Sequence, residues 1–162
     1  MSYDVTTDRL PTFAIFDLKG AQKTVEKWTK FTLPDAPNRF LVNNGVILCH
    51  IGPDHWLLRA PLDREEMLEF QLKPTDAPAD ISIVRISDTQ TFFSITGPNA
   101  AEVISIGCTM DLHETVFPQN SVSFSEFFTV KALVMRIPLG FEVAVEQSYA
   151  NMIADYLSRA TA

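Results

Sequence analysis

The sequence predicts an α+β fold of two similar halves, and three features of the 162-residue chain carry that prediction. Apolar runs of strand length alternate with helix-period stretches, and Gly, Pro, Asn or Asp punctuate the joins. A strand–turn–strand–helix succession spans residues 46–72 and recurs over residues 130–160. Residues 73–80, with Pro74 and Pro78, are too short for a flexible tether and read as a crossover inside one domain, 1–162, whose halves lie at about 12–75 and 80–162.

Taken in order, residues 12–18 form a short apolar run of strand type. Gly20 leads into a helix with Ala21, Val25 and Trp28 at helical spacing, ending before Leu33-Pro34. Residues 35–44, with Pro37, Asn38 and the Asn43-Asn44-Gly45 turn signal, read as loop. A hairpin follows, residues 46–51 and 55–60 about Gly52-Pro53-Asp54. The next helix has a start signal of three agreeing positions: Asp63 as cap, Glu66 as its capping-box partner, and Leu62 stapled to Met67. Residues 81–87 and 91–96 read as a second strand pair about Asp88-Thr89-Gln90. Gly97-Pro98-Asn99 turns into a short helix with Ala100, Ala101, Val103 and Ile104, closed by Gly107. Residues 130–137 and 141–145, about Pro138-Leu139-Gly140, repeat the hairpin. The last helix sets Tyr149, Met152, Ile153, Tyr156, Leu157 and Ala160 on one face.

A hydrophobic content of 46% with 20% charge is that of a globular chain, long enough to bury a core without disulfide or metal. Twenty acidic against 13 basic residues give a net charge of -7. That surface repels phosphate backbones and anionic lipid, which excludes nucleic acid and membrane as partner classes but not a protein with a basic face. Residues 1–9 are polar and lack a signal-type apolar core, and no run approaches the roughly 20 apolar residues of a membrane span. Cys49 and Cys108 are too few for a disulfide framework, and Cys49 sits in an apolar run as a small hydrophobe. The expected compartment is the cytoplasm.

Candidate chemistry is sparse. The six glycines, at 20, 45, 52, 97, 107 and 140, never fall at GxG spacing, so no dinucleotide fingerprint exists. Cys108, Asp111 and His113, supplemented by His50 and His55, lack the paired spacing of a zinc site and read as a packed thiol and a polar loop. Cys49 and His50 are strand neighbours on opposite faces, while His55 can approach either face depending on register. They read as a packed thiol and surface imidazoles rather than a nucleophile and base. Glu65, Glu66 and Glu69 read as capping and solvated carboxylates. Trp28, Trp56, Phe92, Phe93, Phe124, Phe127 and Phe128 exceed what two small cores need. The Phe-Phe pairs put one ring on each strand face, which suggests either a protein interface or burial on both sides.

Two stretches carry a family resemblance. Leu33-Pro34-Asp35-Ala36-Pro37-Asn38, then Ile51-Gly52-Pro53-Asp54-His55-Trp56-Leu57-Leu58, resembles the "LPxxPN" and "GPDxWLL" segments of sarcosine oxidase gamma subunits. Thr96-Gly97-Pro98-Asn99-Ala100-Ala101-Glu102-Val103-Ile104, then Gly107-Cys108-Thr109-Met110-Asp111-Leu112-His113 and Phe117-Pro118, is similar to that family's "SGPxAAEVL…GCPLDL…FP". Ser148-Tyr149-Ala150 resembles its "RSFA" ending. The resemblance implies an α+β fold of two β-β-α-β type halves with swapped strands, related to the folate-binding domain of the glycine-cleavage T-protein. It implies a bacterial heterotetramer whose alpha and beta subunits hold NAD, FAD and FMN and whose delta subunit binds zinc. Such a complex demethylates sarcosine oxidatively to glycine and passes the one-carbon unit to tetrahydrofolate or releases formaldehyde. The resemblance attributes no catalytic residue of that reaction to the gamma subunit, so none is carried over, and no cofactor-binding or metal-binding residue is expected in this chain.

One departure concerns folate. The T-protein segment "RxGYTGExGFE" corresponds to Arg136-Ile137-Pro138-Leu139-Gly140-Phe141-Glu142, which keeps the Arg and the Gly-Phe-Glu but lacks the centre. Glu142 could be a remnant pterin ligand. Alternation with Phe141, Val143 and Val145 makes it instead a solvent-facing strand residue. The expected function is therefore a structural subunit, and the rival a stand-alone folate-binding or aminomethyl-transfer protein.

Overall fold

The structure, a computed structural model, describes residues 3–162. Among them the strands are β1 (Thr6–Arg9), β2 (Phe13–Lys19), β3 (Phe40–Asn43), β4 (Val46–Gly52), β5 (His55–Pro61), β6 (Ser82–Arg85), β7 (Gln90–Thr96), β8 (Val122–Phe127), β9 (Val130–Ile137) and β10 (Gly140–Glu146). The helices are α1 (Gln22–Thr29), α2 (Glu65–Leu72), α3 (Ala100–Gly107) and α4 (Ala150–Ala160). Backbone contacts gather the chain into two compact units: Thr12–Asp88, and Thr89–Ala162 together with the N-terminal segment up to Pro11.

Both units have one plan. In the first, an antiparallel five-stranded sheet runs in the order β3-β4-β5-β2-β6. In the second the order is β8-β9-β10-β7-β1, again antiparallel. Each is a β-α-β-β-β-α succession in which the opening strand inserts beside the third of the later strands, with one added edge strand. The first unit takes that edge from β6, which follows α2, and the second takes it from β1, the swapped strand the fold class anticipates.

The helices cover one face of each sheet. In the first unit Val25 of α1 and Leu68 and Leu72 of α2 pack with Phe16, Leu18, Leu48, Trp56 and Leu58. In the second, Val103 and Ile104 of α3 and Ile153 and Leu157 of α4 pack with Phe93, Ile95, Phe141 and Val143. The left-handed residues Lys30 and Lys73 close α1 and α2 with N–H bonds to the Glu26 and Glu69 carbonyls, 2.9 and 3.0 Å.

Several expectations are corrected. Residues 81–87 and 91–96 do not pair: β6 joins β2 by Leu18 opposite Ile83, while β7 lies between β1 and β10. Both sides of β7 are occupied and both its rings, Phe92 and Phe93, are 2% exposed, so no edge is left for β6. β1 and β3, whose sequences suggest a polar terminus and a loop, are edge strands, as is β8; an edge strand such as β1 needs no apolar side chains, and β3 carries Leu41 and Val42 exposed. The capping box of α2 does not form: residues 62–64 make a 3₁₀ turn, Arg64 occupies the cap position, and no side chain caps it. Leu62 and Met67, the expected staple, are 45% and 56% exposed. Gly107 is the last residue of α3 rather than a left-handed cap, and a Cβ there would stand 2.7 Å from the Phe128 ring.

Candidate functional site

Side chains weighed as chemistry are placed by the two sheets, and strand alternation decides what each can reach. Arg136 stands opposite Phe141 in the β9–β10 ladder and shares its face, so the guanidinium lies 4.6 Å above that ring. Its Nε donates to the Phe117 carbonyl at 2.5 Å and its Nη2 to the Leu112 carbonyl. A buried cation thus braces the segment between α3 and β8. Glu142 is the next residue after Phe141 and points to the other face, beside Met135 and Ser94. It is half-buried there, not solvent-facing. The two charged residues that match the T-protein segment are therefore separated by the sheet and cannot line one pocket.

Near Arg136 a cavity of about 570 Å³ is bordered by Thr96, Gly97, Glu114, Gln119 and Leu139. A second, in the other unit and also about 570 Å³, is bordered by Gln22, Asn38, His50, Asp54 and Trp56. The latter gathers residues of both resemblance segments in the N-terminal half. His50 stacks on Trp56 with ring centroids 5.1 Å apart, and its buried Nδ1 has no hydrogen-bond partner. Trp56 Nε1 donates to the Pro34 carbonyl at 3.2 Å, tying the hairpin to the preceding loop. Neither cavity joins a nucleophile to a base.

The histidines and cysteines separate as strand parity requires. Cys49 and His50 lie on opposite faces of β4, Cys49 opposite Leu57 and His50 opposite Trp56. His55 is not a free surface imidazole: its Nε2 meets Asp17 Oδ1 at 2.5 Å, with Lys19 Nζ 3.4 Å from the other carboxylate oxygen. Cys108 is buried with its Sγ 3.6 Å from Ser125 Oγ. Asp111 accepts from the His113 backbone N–H at 2.9 Å, and His113 Nδ1 lies 2.8 Å from Thr115 Oγ1. Among the described residues no three His, Cys, Asp or Glu side chains are grouped as metal ligands, and no helix is long and apolar enough to cross a membrane.

The glutamates of α2 also depart from expectation. Arg85 of β6 reaches Glu69 Oε2 at 2.5 Å and Glu65 Oε1 at 3.7 Å, pinning the helix to the sheet edge. Glu66 alone keeps the solvated role. The aromatic excess is mostly internal: Phe92, Phe93, Phe127 and Trp56 are at most 2% exposed, so two-sided burial is the alternative found. Phe124 of that group is 38% exposed, and the most exposed ring among the described residues is Phe70 on α2, at 81%. The sequence holds a signal for it, because Met67 and Phe70 form a second apolar pair at helical spacing beside Leu68 and Leu72.

The profile of the sarcosine oxidase, gamma subunit family matches residues 23–162. The chain belongs to that family. Its role is thereby that of a gamma subunit of sarcosine oxidase. Among solved structures the chain is similar to a heterotetrameric sarcosine oxidase from Corynebacterium sp. U-96 in complex with pyrrole 2-carboxylate. The TM-score is 0.82 at 21% identity, over 97% of this chain and 83% of that one. It is also similar to glycine cleavage system aminomethyltransferase T from Bartonella henselae, with TM-score 0.70 at 15% identity over 96% of this chain. The match spans 46% of that aminomethyltransferase, so likeness there extends to about half of its length. At these identities the likenesses show the fold, an α+β fold shared with both structures. No curated protein sequence matches the chain.

Proposed function

We propose that the chain is the non-catalytic gamma subunit of a bacterial, cytoplasmic heterotetrameric sarcosine oxidase, docked on alpha, beta and delta subunits. Those partners carry out the oxidative demethylation of sarcosine to glycine, and FAD, FMN, NAD, zinc and tetrahydrofolate belong to them. The observation that carries this reading is the family match across residues 23–162. The internal use of the polar groups supports it: Arg136 is spent on two backbone carbonyls, His55 on Asp17, and Glu65 and Glu69 on Arg85. The split of Arg136 from Glu142 by the sheet weighs against a folate pocket of the T-protein kind.

The test is co-expression of the four subunits with an affinity tag on this chain. Recovery of the flavin- and NAD-bearing subunits in fixed ratio is expected, with no amine oxidation by the isolated chain. Micromolar binding of a tetrahydrofolate analogue by the isolated chain, or its failure to recover any partner, would overturn the proposal.

A further inference from the structure

We infer that the outward face of α2, centred on Phe70 and Met67 and edged by Asp63 and Glu66, docks another subunit of the oxidase at an apolar socket rimmed by Lys or Arg. This rests on the gamma-subunit reading above and adds to it a place and a chemistry of contact.

Helix geometry sets the face. Leu68 and Leu72 are buried one turn apart, and Phe70 lies about 200° around the axis from each, so it points directly away from the core. Met67, 56% exposed, neighbours it at i,i+3 spacing, and Leu62, 45% exposed, adds apolar surface in the turn that precedes the helix. The unit does not use this face. The inner side of α2 is held by Trp28 Nε1 on the Leu72 carbonyl at 2.7 Å, by Gln71 Nε2 on the Thr29 carbonyl at 3.0 Å, and by the Arg85 pairs. An aromatic ring with no task in its own fold, beside a flexible thioether, has the composition of an interface anchor.

Charge selects the occupant. Arg64 is turned away from the face, donating to the Asn44 carbonyl, and Glu65 and Glu69 are engaged by Arg85. Asp63 and Glu66 have no ion-pair partner among the described residues, and the exposed Lys73 at the end of the helix offsets only one of them, so the rim keeps a net negative charge. A second copy would bring the same carboxylates face to face, with -7 on each chain, and an anionic lipid surface meets the same repulsion. A basic-rimmed protein surface meets neither. Phe70, Met67 and Leu62 are far fewer than the roughly 20–30 residues a side of a stable interface, so the face serves as the anchor of a larger footprint.

The experiment is tagged recovery of the complex with the wild-type chain, F70E, F70L and E66K, with partner affinity measured at low and high salt. F70E is expected to weaken recovery by about thirty-fold or more, the scale of an interface hot spot. F70L is expected to retain most of it, and E66K to weaken it at low salt. Thermal melting of each isolated variant at the wild-type temperature shows that folding is intact, as exposure of both positions requires. If the wild-type chain recovers no partner, the gamma-subunit reading fails. If it recovers them and F70E does so equally, only the docking face is refuted. Self-association of the wild-type chain that F70E abolishes would likewise refute it.

Discussion

Replacing Arg136 by Met tests whether the guanidinium is a brace or part of a ligand site. The side chain is 7% exposed, donates to the carbonyls of Phe117 and Leu112, and covers the Phe141 ring. Met keeps most of the volume over the ring and removes both donors. A hydrogen bond to a charged group contributes about 1.5–3 kcal/mol, and two of them set a ceiling near 6 kcal/mol. Part returns because the freed carbonyls belong to an irregular segment that can rehydrate, so about 3 kcal/mol is the expected loss. For a chain of this length that corresponds to a melting temperature lowered by roughly 6–12 °C. Lys in the same place keeps the charge but not the planar fork, and should lose about half as much. Urea unfolding of the wild-type chain, R136M and R136K measures this directly, with unchanged slope marking an unchanged unfolded state. If R136M unfolds at the wild-type midpoint, the brace is refuted, and Arg136 is then available for a ligand.

Two further outcomes follow. Gly140 has φ +153°, and a Cβ there would lie 2.1 Å from the Ile95 carbonyl oxygen and 3.0 Å from Thr96 Cα, both backbone atoms of the paired strand. Gly140→Ala should therefore cost about 3 kcal/mol or more by forcing β10 off β7, visible as a lowered denaturation midpoint. Cys49 and Cys108 are 1% and 7% exposed, so a thiol reagent should label neither in the native chain and both after denaturation. Rapid native labelling would overturn the view of them as packed hydrophobes.

What the residues disclose, they disclose locally. The two central hairpins are legible because Gly52-Pro53-Asp54 and Pro138-Leu139-Gly140 interrupt apolar runs of strand length. The expected pairing of β6 with β7 fails for the same reason: Asp88-Thr89-Gln90 is a plausible hairpin turn, and only the competition of β1 and β10 for β7 shows otherwise. β1 escapes notice because Thr6-Thr7-Asp8-Arg9 has no apolar side chain at all, and β3 because its short apolar run Phe40-Leu41-Val42 lies between the turn signals Pro37-Asn38 and Asn43-Asn44-Gly45. In α2, Leu68 with Leu72 and Met67 with Phe70 offer two stripes of equal helical merit. Packing against β2 and β5 buries the first and leaves the second outside, a choice no single-helix pattern contains. The Arg85 and Asp17 partnerships are hidden likewise, since each joins residues on different strands or elements.

The position of β1 has a consequence for how the chain is made. Thr6 sits opposite Thr96, so this stretch, synthesised well before its partner strand, must remain unpaired until β7 has emerged. The Thr12–Asp88 unit contains all its own strands and can close meanwhile, drawing only on residues already synthesised. Residues 6–9 are then the waiting piece, and their polar character keeps an unmatched ribbon soluble during that delay.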